Sequence, residues 1–426
     1  MDYLGTSLRP MIAQRLWGAM FISSTGYFLV LGIVSARVFT ATGSSWIAAG
    51  VFASQWLLPL LGVSVITYLA RQPNLTSIIV KIELISGLLA ILVGLSQPFG
   101  TVILFLALLA RGWTEGAIRT LRIVALKRMV SPSRLGLIAS LFNTSIYSGA
   151  ALGGLVGALL AYQWSTPMIG VFSGIASILA ALIYSTLPRQ GAGVKTNPVT
   201  MHSRQSGVFG TAWVFLKAHP RLLHAYLGLL LITGTIEGFH HVARTVLPID
   251  IWHVGERGTL LLALVSGVAI LLGAIRVAIE TRTPLHPVHH STTRIVAVTS
   301  GLAMITASLT EPLTGFLSYF AMMFTYEVAF TTLHKELMVL CPEQTLPTIA
   351  ASNNAALGAS LFLGTMANGL LADYMTLLEL ALLNVTVLVI GSAGVVGLTR
   401  RFRHKELSVA CSLRDSKSSR LADRGS

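Results

Sequence analysis

Apolar residues in this chain come in long, nearly unbroken runs, unlike the alternation of a half-buried strand or the narrow stripe of a soluble helix. A helix needs about 20 apolar residues to cross the ~30 Å hydrocarbon layer of a bilayer. Twelve runs meet or approach that length: 16–39, 46–69, 77–96, 101–126, 135–161, 166–187, 222–246, 258–279, 294–310, 313–339, 346–372 and 375–398. Each predicts one transmembrane helix. The ninth is short, the tenth carries several polar groups, and the third contains Lys81 and Glu83, expected near its cytoplasmic end. The first run lacks a small-residue cleavage site after a short core and reads as a retained helix.

The polar segments between the runs alternate in character. Basic residues precede the first run (Arg9, Arg15) and follow the second (Arg71), the fourth (Lys127, Arg128, Arg134), the sixth (Arg189, Lys195, Arg204, Lys217, Arg221) and the eighth (Arg282, Arg294). Arg400, Arg401, Arg403 and Lys405 follow the twelfth, whereas segments 40–45, 97–100, 163–165 and 311–312 contain no Lys or Arg. Basic loops stay in the cytoplasm, so both termini are expected there, which requires an even number of spans. The longest connection, 188–220, begins as a Gly-, Pro- and Ser-containing linker and ends in a stretch from Val208 that fits a short amphipathic helix at the interface. The expected organisation is an N-terminal six-helix bundle (1–187), a cytoplasmic linker (188–220), a C-terminal six-helix bundle (221–399) and a basic cytoplasmic tail (400–426). A shift of 212 residues superposes Glu115 on Glu327, Ala117 on Ala329, Thr120 and Leu121 on Thr332 and Leu333, and Gly157 on Gly369. The fold class expected is therefore an all-α membrane protein, twelve transmembrane helices in two pseudo-symmetric six-helix bundles.

Composition agrees and narrows the function. Of 426 residues, 54% are hydrophobic and only 11% charged, where a soluble domain carries about 25%. The Lys and Arg residues behind the net charge of +14 gather in the stretches between apolar runs and in the tail, with no basic groove interleaved with aromatics, so nucleic acid is not an expected partner. Cys341 and Cys411 are too few and too far apart for a disulfide framework. No glycine loop followed by Lys cradles a phosphate and no nucleophile–base motif stands out, which argues against ATP-driven transport and against an enzyme; no cofactor is expected. His286, His289 and His290 fall in a predicted solvated loop between the eighth and ninth runs, and no metal site is assigned.

Ionisable groups inside spans are costly and mark polar cavities or partners. In the fourth run Arg111, Glu115, Arg119 and Arg122 project at about 0°, 40°, 80° and 20°, one narrow stripe. Three Arg against one Glu leave a cationic wall suited to an anionic substrate, because the guanidinium fork holds carboxylates. Structural helix-end contacts of Arg119 and Arg122 are the alternative. In the seventh run Glu237, His240, His241 and Arg244 lie within about 100° of one another. A carboxylate beside imidazoles is a candidate proton site; a gate held by a Glu237–Arg244 ion pair is the other reading. Glu327 in the tenth run is a third proton candidate, and Arg276 in the eighth is either cavity lining or a partner. Gly149, Gly153 and Gly157 repeat at spacing four, a row that lets helices approach closely.

The six-plus-six plan with a long central loop resembles the major facilitator superfamily over residues 10–400. The stretch Arg111-Gly-Trp-Thr-Glu-Gly116-Ala117 is similar to that family's fourth-helix motif of an Arg followed five positions later by Gly, which implies a link between Arg111 and proton coupling. The run from Gly149 to Gly157 is similar to the fifth-helix motif of exporters, with Gly154 where Pro is usual. The loop around Arg71 occupies the place of the signature loop, with Arg71 where an Asp is expected. The segments 209–221 and 332–342 resemble the branch that includes siderophore and drug exporters. These resemblances imply a proton-coupled secondary transporter in the bacterial inner membrane, an antiporter exporting a small organic anion such as a carboxylate-type siderophore, working as a monomer. An uptake permease or multidrug pump is the alternative within transport, and a non-transporting receptor or scaffold the alternative outside it. Cation efflux would call for an acidic lining, and the excess here is basic.

Overall fold

In a computed structural model, residues 3–96, 100–129, 132–160, 163–188, 208–280, 289–342 and 345–422 are described. Among them the chain is helical throughout, joined by short turns. The first half comprises α1 (Tyr3–Thr42), α2 (Ser45–Leu61), α3 (Val63–Arg71), α4 (Leu75–Ser96), α5 (Thr101–Met129), α6 (Pro132–Leu160) and α7 (Thr166–Ser185). The second comprises α8 (Val208–Ala218), α9 (Pro220–Ile232), α10 (Gly238–Val246), α11 (Glu256–Glu280), α12 (His289–Ser308), α13 (Pro312–Leu340), α14 (Leu346–Ala372) and α15 (Leu377–Ala422). Residues 189–207 of the expected linker, together with Arg282 and His286, lie outside the described residues.

A helix stands on every one of the twelve apolar runs. Nine helices among the described residues are long and apolar enough to cross a membrane, and the pair α2–α3, bent by 66° at Gly62, would be a tenth. On the fifth and ninth runs the apolar stretches are shorter, Thr144–Leu160 and Thr293–Ser308. Leucines and branched residues such as Leu88, Leu106, Leu182, Leu363, Val389 and Ile390 are exposed on the outside of the helices, the surface that a bilayer covers. The chain is a multi-pass integral membrane protein.

Local chemistry sets the helix ends. The Ser44 hydroxyl accepts from the Ile47 N–H at 3.3 Å to cap α2. Glu311 caps α13 by accepting from the Thr314 N–H at 2.8 Å, which holds its carboxylate below the usual range, and Pro312 opens the helix. Gly43 and Gly255 turn the chain in the left-handed region, with φ of 66° and 70°. Two differences from the expected elements stand out. His289 and His290 open α12 instead of lying in a loop. The seventh run is interrupted by π-helical turns at Thr233–Glu237 and Leu247–Ile251. The wider π-turn shifts the register of the helix, so the side chains on its two sides point in different directions than a continuous α-helix would give.

Connections gather on two faces. On one, Arg37 donates to the Trp164 carbonyl at 2.7 Å and pairs with Glu256 at 3.5 Å, Trp252 donates to the Leu309 carbonyl at 2.9 Å, and Asp373 accepts from Ser44 at 2.8 Å. This is the face of the short, Lys- and Arg-poor segments. On the other, basic face, Arg15 donates to the Thr186 carbonyl at 3.0 Å. Leu16, Ile79, Leu121 and Tyr184 form one core of the first half, and Tyr27, Val34, Phe52 and Leu108 another. A single large core around Leu229, Phe239, Tyr319 and Met322 fills the second half.

Glycines bring the halves together. A Cβ on Gly157 would meet Leu260 of α11 at 2.8 Å, and one on Gly369 would meet Ala49 of α2 at 2.5 Å. Under the 212-residue shift Gly157 becomes Gly369, and residues 45–49 become 257–261, which contain Leu260. The same contact is thus built twice, once from α6 to α11 and once from α14 to α2. Within the first half, Gly149 and Gly153 bring α6 against the α1 backbone at Phe21 and Thr25, the close approach that their spacing predicts.

Candidate functional site

The charges of α5 divide between the interior of the first half and its boundary with the second. Gly112 and Gly116 press α5 onto α2, where Cβ atoms would meet the Ser54 carbonyl at 2.5 Å and the Pro59 ring at 2.4 Å. That close approach turns Arg111 inward, where it is 1% exposed. Its Nη2 donates to Ser173 Oγ of α7 at 2.6 Å, Ser173 donates in turn to the Gly26 carbonyl at 2.7 Å, and the guanidinium stands 5.0 Å from the Tyr27 ring centroid. Its Nε and Nη1 meet no partner. Glu115, one turn on, is also buried.

Arg122 is wholly enclosed and bridges to Glu83 Oε2 of α4 at 2.9 Å. Glu83 also accepts from the Ser23 hydroxyl of α1, and Arg122 lies 5.3 Å from the Tyr184 ring centroid. Four helices therefore meet at one ion pair. Glu83 is enclosed within the first half, where Arg122 on the next span supplies the countercharge that makes such burial tolerable.

Between the halves the second polar cluster forms. Arg119 of α5 and Tyr147 of α6 face Glu237 at the end of the first π-turn and Glu327 of α13; these groups are near enough to interact electrostatically across the boundary. Glu237 accepts from the Tyr326 hydroxyl, and Glu327 accepts from Thr331 Oγ1 at 2.6 Å. Arg119 Nε is buried without a partner. Arg119, Glu237 and Glu327, predicted on three different spans, come together here.

Toward the short-loop face lies the third cluster. The Arg244 guanidinium stands 3.9 Å above the Phe52 ring of α2, and His241 stacks on the same ring with centroids 5.2 Å apart. Trp56 closes on His241 at 5.0 Å. His240 instead turns into the second half, its Nδ1 2.6 Å from the Tyr319 hydroxyl. Both ring nitrogens of His241, and Nε of Arg244, are buried without partners. Arg244 thus packs against an aromatic face across the boundary. Arg276 is exposed on α11.

Sequence reasoning does not reach Tyr147, Tyr326, Phe52 and Trp56. A Tyr adjoining a mid-span acid, as Tyr326 adjoins Glu327, is the available signal; an apolar aromatic carries none, because most such residues are core.

Residues 16–365 match the profile of the major facilitator superfamily. No curated protein matches the chain. Among solved structures, a bacterial homologue of the human lysosomal transporter Spinster, in an inward-facing and occupied conformation, is similar with a TM-score of 0.71 at 12% identity, covering 95% of this chain and 98% of that one. A POT family transporter in complex with a thioalcohol-conjugated peptide gives 0.71 at 13% identity, covering 92% and 96%. The nucleoside transporter NupG gives 0.64 at 16%, covering 92% and 98%. A membrane-spanning helical fold with charged clusters at the seam of two related halves, and a family match over most of its length, make this chain a membrane transporter belonging to the major facilitator superfamily and not an enzyme.

Proposed function

We propose that the protein is a proton-coupled secondary transporter that exports a small organic anion, of the kind represented by a carboxylate-type siderophore, by alternating access. The halves 1–187 and 221–399 rock about the seam, with the linker 188–220, the tail 400–426 and both termini on the cytoplasmic side of a bacterial inner membrane. The protein acts as a monomer.

One observation carries this reading. At the seam, Arg119 and Arg244 each hold a buried Nε–H that no protein group accepts. An unmet donor costs about 1–3 kcal/mol, more when charged, and an anionic acceptor at the seam relieves that cost. A substrate carboxylate between Arg119 and Arg244 supplies one, and Glu237 and Glu327 opposite are the groups that exchange protons. Arg111 and the Arg122–Glu83 pair shape the helix that presents Arg119. Export is supported by the Gly149–Gly153–Gly157 row and its likeness to the exporter motif.

A second reading has its own support. A proton on Glu237 frees Arg119 from a neighbouring negative charge, so protonation and anion binding favour each other, which couples the two in one direction, as in uptake. Purified protein in sealed proteoliposomes separates these. With protons driven inward, organic-anion efflux identifies antiport and influx identifies symport. Absence of any proton-linked anion flux rejects both.

A further inference from the structure

One arginine on the short-loop face serves both halves. Arg37, near the end of α1, donates from Nη1 to Thr166 Oγ1 at 2.6 Å and from Nη2 to the Trp164 carbonyl at 2.7 Å, both at the start of α7 in its own half. Its Nε pairs with Glu256 Oε2 at 3.5 Å, in the first turn of α11 in the other half. The first half alone seats the guanidinium fork, so the ion pair can break without unseating it. The two side chains are 16% and 24% exposed, and water can take the place of either partner when they part.

Under the 212-residue shift Glu256 is the counterpart of Ser44. Ser44 opens α2 and donates to Asp373 of the second half at 2.8 Å. The same repeat position therefore reaches across the seam twice, once as a hydroxyl held by a carboxylate and once as a carboxylate held by a guanidinium. The partners are not related by the repeat, since Asp373 corresponds to Ala161 and Arg37 to Ile249. Of these two connections, the one between Arg37 and Glu256 joins full opposite charges.

We infer that Arg37 and Glu256 form a salt-sensitive latch that favours closure of the short-loop face. The latch rests on the alternating-access reading and is independent of what is carried. A partly exposed ion pair biases an equilibrium without locking it, as a face that opens in every cycle requires. Salt weakens the latch, because the screening length falls from about 10 Å at 0.1 M to about 3 Å at 1 M.

The test is a distance measurement by double electron–electron resonance, which needs no substrate. Nitroxides are placed on Ala41→Cys and Leu313→Cys of the full chain in nanodiscs, in a background of Cys341→Ser and Cys411→Ser. Both sites are exposed, at the short-loop ends of α1 and α13. Glu256→Gln is expected to raise the ratio of long-distance to short-distance molecules about twofold to fivefold, the range that an exposed pair supports. Salt at 1 M should raise the ratio comparably with Glu256 present and much less in Glu256→Gln. Size-exclusion elution checks that the variant is folded, and the salt series with Glu256 present needs no change at the latch. An unchanged ratio in Glu256→Gln, or an equal salt response with and without Glu256, overturns the latch and leaves alternating access standing. A single distance in every variant and at every salt concentration overturns both.

Discussion

The buried residues of α4 and α5 show how far a single side chain can be reasoned about. Glu83 and Arg122 are both fully enclosed, so removing one partner strands the other. Glu83→Ala is expected to destabilise the protein by about 3–5 kcal/mol, read as a lower unfolding temperature in detergent, while Glu83→Leu combined with Arg122→Leu costs much less. Arg111 makes a different case, because its hydrogen bond ties α5 to Ser173 and through it to Gly26. Arg111→Ala should abolish proteoliposome transport with expression intact; transport at the wild-type rate would remove Arg111 from the working machinery. The stripe from Arg111 to Arg122 is legible from a rotation of 100° per residue. That Glu83 answers Arg122 is not, because periodicity relates residues on one helix and says nothing about which faces of two helices meet.

At the scale of elements, helix ends have roles that their sequences only partly announce. Asp373, just beyond α14, accepts from the Ser45 N–H at 2.6 Å and the Ser44 hydroxyl at 2.8 Å. It thereby occupies the N-terminus of α2, where free N–H groups and the helix dipole favour a carboxylate. The contact joins the two halves on the short-loop face. In a background of Cys341→Ser and Cys411→Ser, a cysteine at Ser35, which is buried between the halves, reports opening of that face. Asp373→Ala should raise its reaction with an impermeant maleimide by about tenfold, the shift expected from losing one charged hydrogen bond worth about 1.5 kcal/mol. An unchanged rate would mean that Asp373 holds nothing shut. The helices themselves are readable, since apolar length and loop charge mark a span without any partner. The π-turns before and after α10 are not, because the residues of 233–237 carry no pattern that distinguishes five residues of wide helix from an ordinary turn.

At the scale of the molecule, the internal repeat becomes geometry. The shift that superposes Glu115 on Glu327 turns Gly157, which packs on Leu260, into Gly369, which packs on Ala49, one position from the counterpart of Leu260, so the two halves face each other through closely equivalent surfaces. Ser35 and Thr245 meet close to that seam, their hydroxyl oxygens 3.3 Å apart on α1 and α10. Alternating access requires this contact to break once in every cycle. Cysteines at both positions, in the same cysteine-free background, place two sulfurs within reach of a bond of about 2.05 Å. Oxidation should then join the halves and stop transport, and reductant should restore it, whereas each single variant stays active under both conditions. The small size of both buried substitutions leaves little else to account for a redox-dependent arrest. A fully cross-linked protein that still moved its substrate would show that the halves never part at Ser35 and Thr245, and the rocking motion on which the site's exposure to both faces depends would have to be abandoned.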